Sequence, residues 1–356
     1  MRVCLVSHQF IPDNPAGVEI FVHRCARALA SLGHEVLVFT TRKDLSRREG
    51  SVVEEVFRGV RTKRVIRNLF HSDFARTYED PRVDEIFVRE VLEDFRPDVV
   101  HAHHLIHHSV GLPEAAQRAG IPFVMTLHDY WLECPRMGRL LAWDGQVCEE
   151  VDFERCGRCL QRFPWRNPPR LAPVARALSV LRSATGLDAQ KPLQRIFRRR
   201  QGRSATENAP FDVPERDLPM EAALGARQKV LRERLVPAVD RFLCPSRFLL
   251  ERLAAWGIPD EKLVHRPYGV PRPPEAWSRR RAEDGAFRFA YCASVLPHKG
   301  AHVVLDAWER GQFAARGRGV RLSIHGAWSS NPSYGEEIRS RGEALGVTVS
   351  GAYDPS

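Results

Sequence analysis

Four groups of residues in this chain have the types and spacing for chemistry. Cys134, Cys148, Cys156 and Cys159 follow C-x13-C-x7-C-x2-C in a polar, turn-rich stretch. Four thiols so placed can hold a tetrahedral zinc ion, and the Cys-x-x-Cys end is the strongest part of the pattern. The alternative is a set of reduced, unliganded loop cysteines. His101, His103, His104, His107 and His108 form a second group. Strand alternation puts His101 and His103 on one face, and the set reads as cleft lining and surface rather than as a metal cluster. His128-Asp129, at the end of the apolar run from Ile121 to Leu127, is the third. The fourth comprises two loop-to-helix junctions, Ala16-Gly17 and Lys299-Gly300. Free N–H groups and the helix macrodipole favour an anion at such junctions, and a lysine there adds its own charge.

The elements that must position these residues follow from periodicity. Arg2 to Val6 suits a strand buried on both faces. Pro12, Asn14, Pro15 and Gly17 turn the chain. Val18, Phe21, Val22, Cys25, Leu29 and Leu32 then repeat at helical spacing, Gly33 ends the helix, and Val36 to Thr40 is a second strand. This βαβ opening lacks G-x-G-x-x-G, which argues against an ordinary NAD site. A polar stretch to about Pro81 follows, then a helix over 83–95, a strand over 98–103, a helix to Ala119 and the strand ending at Leu127. Arg241 to Cys244 is a strand, and Pro245-Ser246 opens a helix. From Phe287 a second α/β unit begins, with strands over 287–293, 320–324 and 347–349 separated by helices.

The predicted organisation is an N-terminal domain over 1–264, a Pro-rich linker over 265–284 and a smaller domain over 285–356. The first domain carries the Cys-rich loop 134–160 and a basic insert 161–235. Two domains suit 356 residues. No run approaches the roughly 20 apolar residues of a membrane span, and Pro12, Asp13 and Asn14 interrupt any signal-peptide core. The expectation is a cytoplasmic protein whose cysteines are thiols or metal ligands. Cys4, Cys25, Cys244 and Cys292 then read as core fillers. Residues 162–203 hold ten Arg and one Lys against the single acid Asp188, which equals the whole formal excess of +10. With Trp165, Leu171, Leu178 and Phe197 interspersed, the stretch fits either peripheral contact with an anionic membrane or a solvated insertion. Without aromatic platforms or a nucleic-acid motif, nucleic acid is not an expected partner.

Four segments together resemble the retaining family-four glycosyltransferases (group 1 type) of GT-B fold. They are Phe10-x-Pro12…Ala16-Gly17-Val18-Glu19 with Leu32-Gly33-His34-Glu35-Val36; Asp98-Val-Val-His101-Ala-His103 with Ile121-Pro-x-Val-x-Thr-x-His128-Asp129; Asp240-Arg-Phe-Leu-Cys-Pro245-Ser246 with Gly269-Val270; and Val295-Leu-Pro-His-Lys299-Gly300. The resemblance implies an α/β protein of two Rossmann-like domains facing across a cleft. It implies transfer of a hexose from a nucleotide sugar to a glycan or lipid-linked acceptor, without a catalytic metal. Carried over, His128 contacts the transferred sugar, and Gly17, Lys299 and Gly300 hold the donor. Glu19, His103 and Asp129 are candidates on the acceptor side. Two departures stand out. Ala293 and Ser294 occupy the positions where many members have Gly-Arg. The family's Glu-x7-Glu segment would lie beyond Ser356, so the second domain is expected to be truncated. The alternative expectation is a non-catalytic sugar- or membrane-binding module that lacks the donor half.

Overall fold

The structure, a computed structural model, describes residues 1–70, 73–163, 165–188, 213–269, 285–313, 319–328 and 331–352. Residues 189–212 of the basic insert, 270–284 of the predicted linker, and Val270 of the quoted motif lie outside the described residues. The chain divides into two compact units, Met1–Gly269 and Val270–Ser356.

The first unit is built on eight strands: β1 (Arg2–Ser7), β2 (Glu35–Arg42), β3 (Val52–Phe57), β4 (Val60–Ile66), β5 (Val99–Ala102), β6 (Phe123–Thr126), β7 (Arg241–Cys244) and β8 (Leu263–His265). They run in the order β3-β4-β2-β1-β5-β6-β7-β8. All neighbours are parallel except β3 and β4, which form an antiparallel hairpin. Cys4, Leu5, Val6, Leu37, Val38 and Phe39 are fully buried, as central parallel strands require. Helix α1 (Gly17–Ser31) packs on this sheet between β1 and β2. The chain goes from β1 to β2 on one side and later returns to place β5 on the other. The carboxyl ends of β1 and β5 therefore border the switch point at which open α/β sheets bind ligands.

The polar stretch predicted before Pro81 is corrected by the structure. It contains β3 and β4, and β4 pairs with β2 inside the sheet. Its sequence hides this because Arg61, Lys63 and Arg64 interrupt the apolar pattern. Each charge is matched by a distant acid. Arg64, fully buried, bonds Glu55 Oε1 at 2.5 Å, Asp13 Oδ2 at 3.0 Å and the Ile11 carbonyl at 2.7 Å. Lys63 bonds Glu90 at 2.8 Å and Asp94 at 2.6 Å. A buried cation is tolerable when its partners saturate it. The helix predicted over 83–95 is an α-helix only over Pro81–Phe87 and continues as a wider π turn over Val88–Glu93.

The second unit has three parallel strands, β9 (Phe287–Cys292), β10 (Val320–His325) and β11 (Thr348–Ser350), in the order β11-β10-β9. Helices Ala301–Arg310 and Pro332–Ala344 cover them through Leu305, Trp308, Tyr334 and Ile338. Among the described residues no helix is long and apolar enough to cross a membrane.

Candidate functional site

The loops after β1, β5, β6 and β8 bring a set of ionisable rings together at the carboxyl edge of the first sheet. His8 leaves β1, His103 and His104 leave β5, His128 and Asp129 leave β6, and Tyr268 follows β8. His128 stands at the centre. Its Nε2 lies 3.1 Å from His103 Nδ1 and its Nδ1 lies 2.5 Å from the Tyr268 hydroxyl. Phe21, from α1, covers the group, with ring centroids 5.6 Å from His103, 5.5 Å from His128 and 4.8 Å from Tyr268.

The proton positions follow from the partners. His103 Nε2 is buried and has no hydrogen-bond partner among the described residues. An orphaned N–H there costs more than an orphaned lone pair, because buried unpaired donors are the rarer case. His103 therefore carries its proton on Nδ1 and donates to His128 Nε2. His128 in turn donates from Nδ1 to the Tyr268 oxygen, which leaves the phenol hydrogen free to donate to a ligand. A parallel argument fixes His104. Its Nδ1 accepts from the Ile106 amide at 3.0 Å, so its Nε2–H faces Asp129 Oδ2 at 3.2 Å.

The imidazoles of His8, His101, His103 and His128 are neutral. Burial pushes His128 down to about 3, with the field of His104 adding to it. Burial holds His101 at about 4 and His8 and His103 well below the ordinary range. The site's negative charge sits on Asp129. Burial works against that charge, but His104 and the Trp131 amide outweigh it and hold the carboxyl below its ordinary value. Asp129 Oδ1 accepts from Trp131 N at 2.8 Å. Glu19, in the first turn of α1, is buried and its carboxyl is raised by that burial. Its Oε1 accepts from Asn14 at 3.0 Å and lies 3.3 Å from His8 Nε2, while Oε2 has no partner among the described residues. The His8 ring lies 4.8 Å from that of His104, which links the Glu19 and Asp129 ends of the cluster.

The segment after Asp129 is held from below. Arg227, buried, donates to the carbonyls of Trp131 at 2.5 Å and Leu132 at 3.2 Å. Glu133 takes both arms of Arg252 at 2.8 Å. Gly138 touches the back of Asp129 so closely that a Cβ would come within 2.4 Å of its Oδ1. A larger residue there would displace the carboxylate.

Glu19, His103, His128 and Asp129 thus share one cluster. His8 and Tyr268 belong to it and were not singled out from the sequence, where neither sits in a pattern. Gly17 opens α1 two residues before Glu19. Its φ is not positive, and a Cβ there would meet nothing within 4 Å, so neither space nor strain requires glycine. Ala16 caps α1 without a side-chain bond. Lys299 and Gly300 lie in the second unit. Pro297–Lys299 is a single 3-10 turn, Lys299 is exposed, and Gly300, with φ +77°, turns the chain into helix Ala301–Arg310.

The four cysteines of the loop are all free thiols, and all four line one small cavity. Burial and the neighbouring thiols push Cys156 up to about 12. As they stand, no three His, Cys, Asp or Glu among the described residues are arranged to hold a metal ion.

Comparison with known proteins agrees with this architecture. A family model described as Glycosyltransferase Family 4 matches residues 15–160, which include α1, β5, β6, the His128-Asp129 edge and the cysteine loop. No curated protein sequence matches the chain. Among solved structures, Anabaena HepE in complex with UDP and glucose is 12% identical with a TM-score of 0.52, and the match covers 99% of this chain and 70% of HepE. HepE in complex with UDP-glucose gives 13% identity and a TM-score of 0.50 over 99% and 70%. A Rickettsia africae glycosyltransferase gives 11% and 0.49 over 99% and 68%. At such identities the likeness concerns the fold, an α/β architecture with parallel sheets of GT-B type.

Proposed function

We propose that this chain is a nucleotide-sugar-dependent glycosyltransferase that moves a hexose, with retention, to a glycan or lipid-linked acceptor. One observation carries the reading. Neutral His128 is locked between His103 and Tyr268 at the sheet's switch point, inside the segment that matches the Glycosyltransferase Family 4 model. HepE, of similar fold, was crystallised with UDP, glucose and UDP-glucose.

In the transfer, the bond from the anomeric carbon to the donor diphosphate breaks and a bond to an acceptor oxygen forms. The acceptor proton leaves with the diphosphate. With both His128 nitrogens taken, the free Tyr268 hydrogen is the group that reaches a sugar hydroxyl, and the neutral His128 ring beside it brings no charge to repel a developing positive centre. Asp129, held ionised, stabilises positive charge at the anomeric centre, and Glu19 is a candidate for the acceptor hydroxyl. Lys299, Gly300 and the Gly17 amides would supply the positive potential that a departing diphosphate needs. In the basic stretch, helix Ala172–Thr185 exposes Val174, Val180 and Leu181 beside Arg170 and Arg176. This mixture suits a protein that meets a lipid-linked acceptor at an anionic surface.

The test is release of nucleoside diphosphate from UDP-hexoses in the presence of glycan and lipid-linked acceptors, comparing the wild type with His128→Ala. The expected result is turnover that falls roughly 10²-fold or more in the variant, the size of loss seen when one preorganised transition-state group is removed. Donor binding without transfer in the wild type would replace this reading by the non-catalytic binding module.

A further inference from the structure

We propose that Cys134, Cys148, Cys156 and Cys159 together bind one zinc ion, and that this ion fastens the loop that presents Asp129. The cysteines come from three places in the fold. Cys134 ends a tight turn in which its amide bonds the Tyr130 carbonyl at 2.7 Å and its own carbonyl accepts from Gly138 N at 3.1 Å. Cys148 follows a small hairpin closed by the bridge between Leu141 and Val147, and its amide bonds the Leu140 carbonyl at 2.8 Å. Cys156 and Cys159 lie three residues apart on the helix Phe153–Gln161, so they share one face. Despite these separate origins, all four thiols reach the wall of one cavity of about 20 Å³. That volume suits a single small occupant.

The other walls favour an ion bound by thiolates. Four thiolates around Zn²⁺ leave a net charge of −2, and Arg136 and Arg155 both line the cavity, offsetting part of that charge although Arg155 also pairs with Asp144 at 3.5 Å. Arg136 is anchored through Nη1 to the carbonyls of Leu141 at 2.7 Å and Ala142 at 2.9 Å. Its Nε–H is buried without an acceptor among the described residues. A metal-bound thiolate is the acceptor that such a donor lacks, and donors of this kind orient and tune metal-bound ligands. As placed, the four cysteines do not form a coordinating group among the described residues, and a bound ion would have to draw them to bonds of about 2.3 Å. The choice of zinc follows from the ligand types, since four cysteine thiolates with no fifth donor are the set that a structural zinc ion takes in tetrahedral coordination. The site is structural and separate from the transfer chemistry. Its bearing on the cluster runs through Gly138, which the Cys134 turn presses against Asp129.

The test uses the full chain. Purified without chelator, it should contain one zinc per chain. An organomercurial that caps the thiols should release that zinc. Cys156→Ser should bind less than a tenth of it, while Cys25→Ala retains it. Because Cys156→Ser may misfold for other reasons, the wild type is also loaded with Co²⁺. A tetrahedral visible spectrum with sulfur-to-cobalt charge-transfer bands is expected. Four freely reactive thiols with no bound metal, two disulfides among the four cysteines, or an octahedral cobalt spectrum without thiolate bands would each overturn the proposal.

Discussion

The two candidate regions of this chain handle charge in opposite ways. At the carboxyl edge of the first sheet, five elements converge on His128 and its neighbours, and burial holds His8, His103 and His128 neutral while the His103–His128–Tyr268 bonds assign their protons. At the Lys299 turn of the second unit, an exposed lysine sits at a helix start, its backbone fixed by Tyr291 and Leu296. The contrast teaches what each region suits. A buried neutral network fixes geometry before any ligand arrives, at a standing cost in protonation free energy. An exposed lysine costs nothing until an anion comes, and then acts through field rather than shape.

The sharpest way to break this comparison is acid. His101 and His108 are held at about 4 and His128 at about 3, all below the ordinary 6.5, because burial disfavours the imidazolium. The folded state therefore refuses protons that the unfolded chain accepts below about pH 6.5. Stability is full above that pH and falls as the pH drops toward 4, by about 1.4 kcal/mol per pH unit for each histidine so held. Glu19, Glu49 and Asp84, the last raised to about 6, are pushed up by burial and act in the opposite sense, but the histidines held down by burial outnumber them. The urea midpoint should drop steeply between pH 7 and pH 5, with a slope that requires more than one proton. A flat midpoint over that range would mean that these rings are charged or solvated in the folded protein, and the neutral-network description would fail.

The next largest effect tests the other region. Lys299→Ala should weaken nucleotide-sugar binding roughly 10- to 100-fold, the range for losing a charge-assisted bond. The loss should shrink as salt rises, since the contribution of an exposed cation is screened. Titration calorimetry at low and high ionic strength reads both quantities. A salt-independent loss would assign Lys299 a fixed, shape-determining role like that of His128. No loss at all would remove it from the donor site.

Much of this was legible in the sequence wherever burial and polarity agree. β1, α1 and β2 show themselves through continuous or 3.6-periodic apolar residues. β4 does not, because Arg61, Lys63 and Arg64 are neutralised by Glu54 and Glu55 across the hairpin and by Asp13, Glu90 and Asp94, which no local window contains. The site divides in the same way. Glu19, His103, His128 and Asp129 could be picked out by type and motif. Their pairing could not, since His128 meets Tyr268 across 140 residues and His8 meets Glu19 only through the fold of the β1–α1 loop. Type is local information, whereas protonation and partnership are properties of the assembled sheet edge.

The smallest expected effect discriminates most finely within the first region. Tyr268→Phe removes one hydroxyl and keeps the ring that packs on Phe21 at 4.8 Å and lies parallel to His128. If His128 donates from Nδ1 to the Tyr268 oxygen, the variant leaves that donor unpaired at a half-exposed position where water can replace the phenol. The cost to transfer is then one neutral hydrogen bond, about 1 kcal/mol, or roughly a 5-fold fall in kcat/KM with little change in stability. If the proton runs the other way, His103 keeps an orphaned buried N–H in both proteins. The Tyr268 hydroxyl then donates inward to His128 and has no hydrogen to offer a ligand. Under that arrangement Tyr268→Phe should leave kcat/KM nearly unchanged. The ¹⁵N shifts of the two imidazoles would separate the cases directly, because they report which ring nitrogen of His128 carries the hydrogen in the wild type.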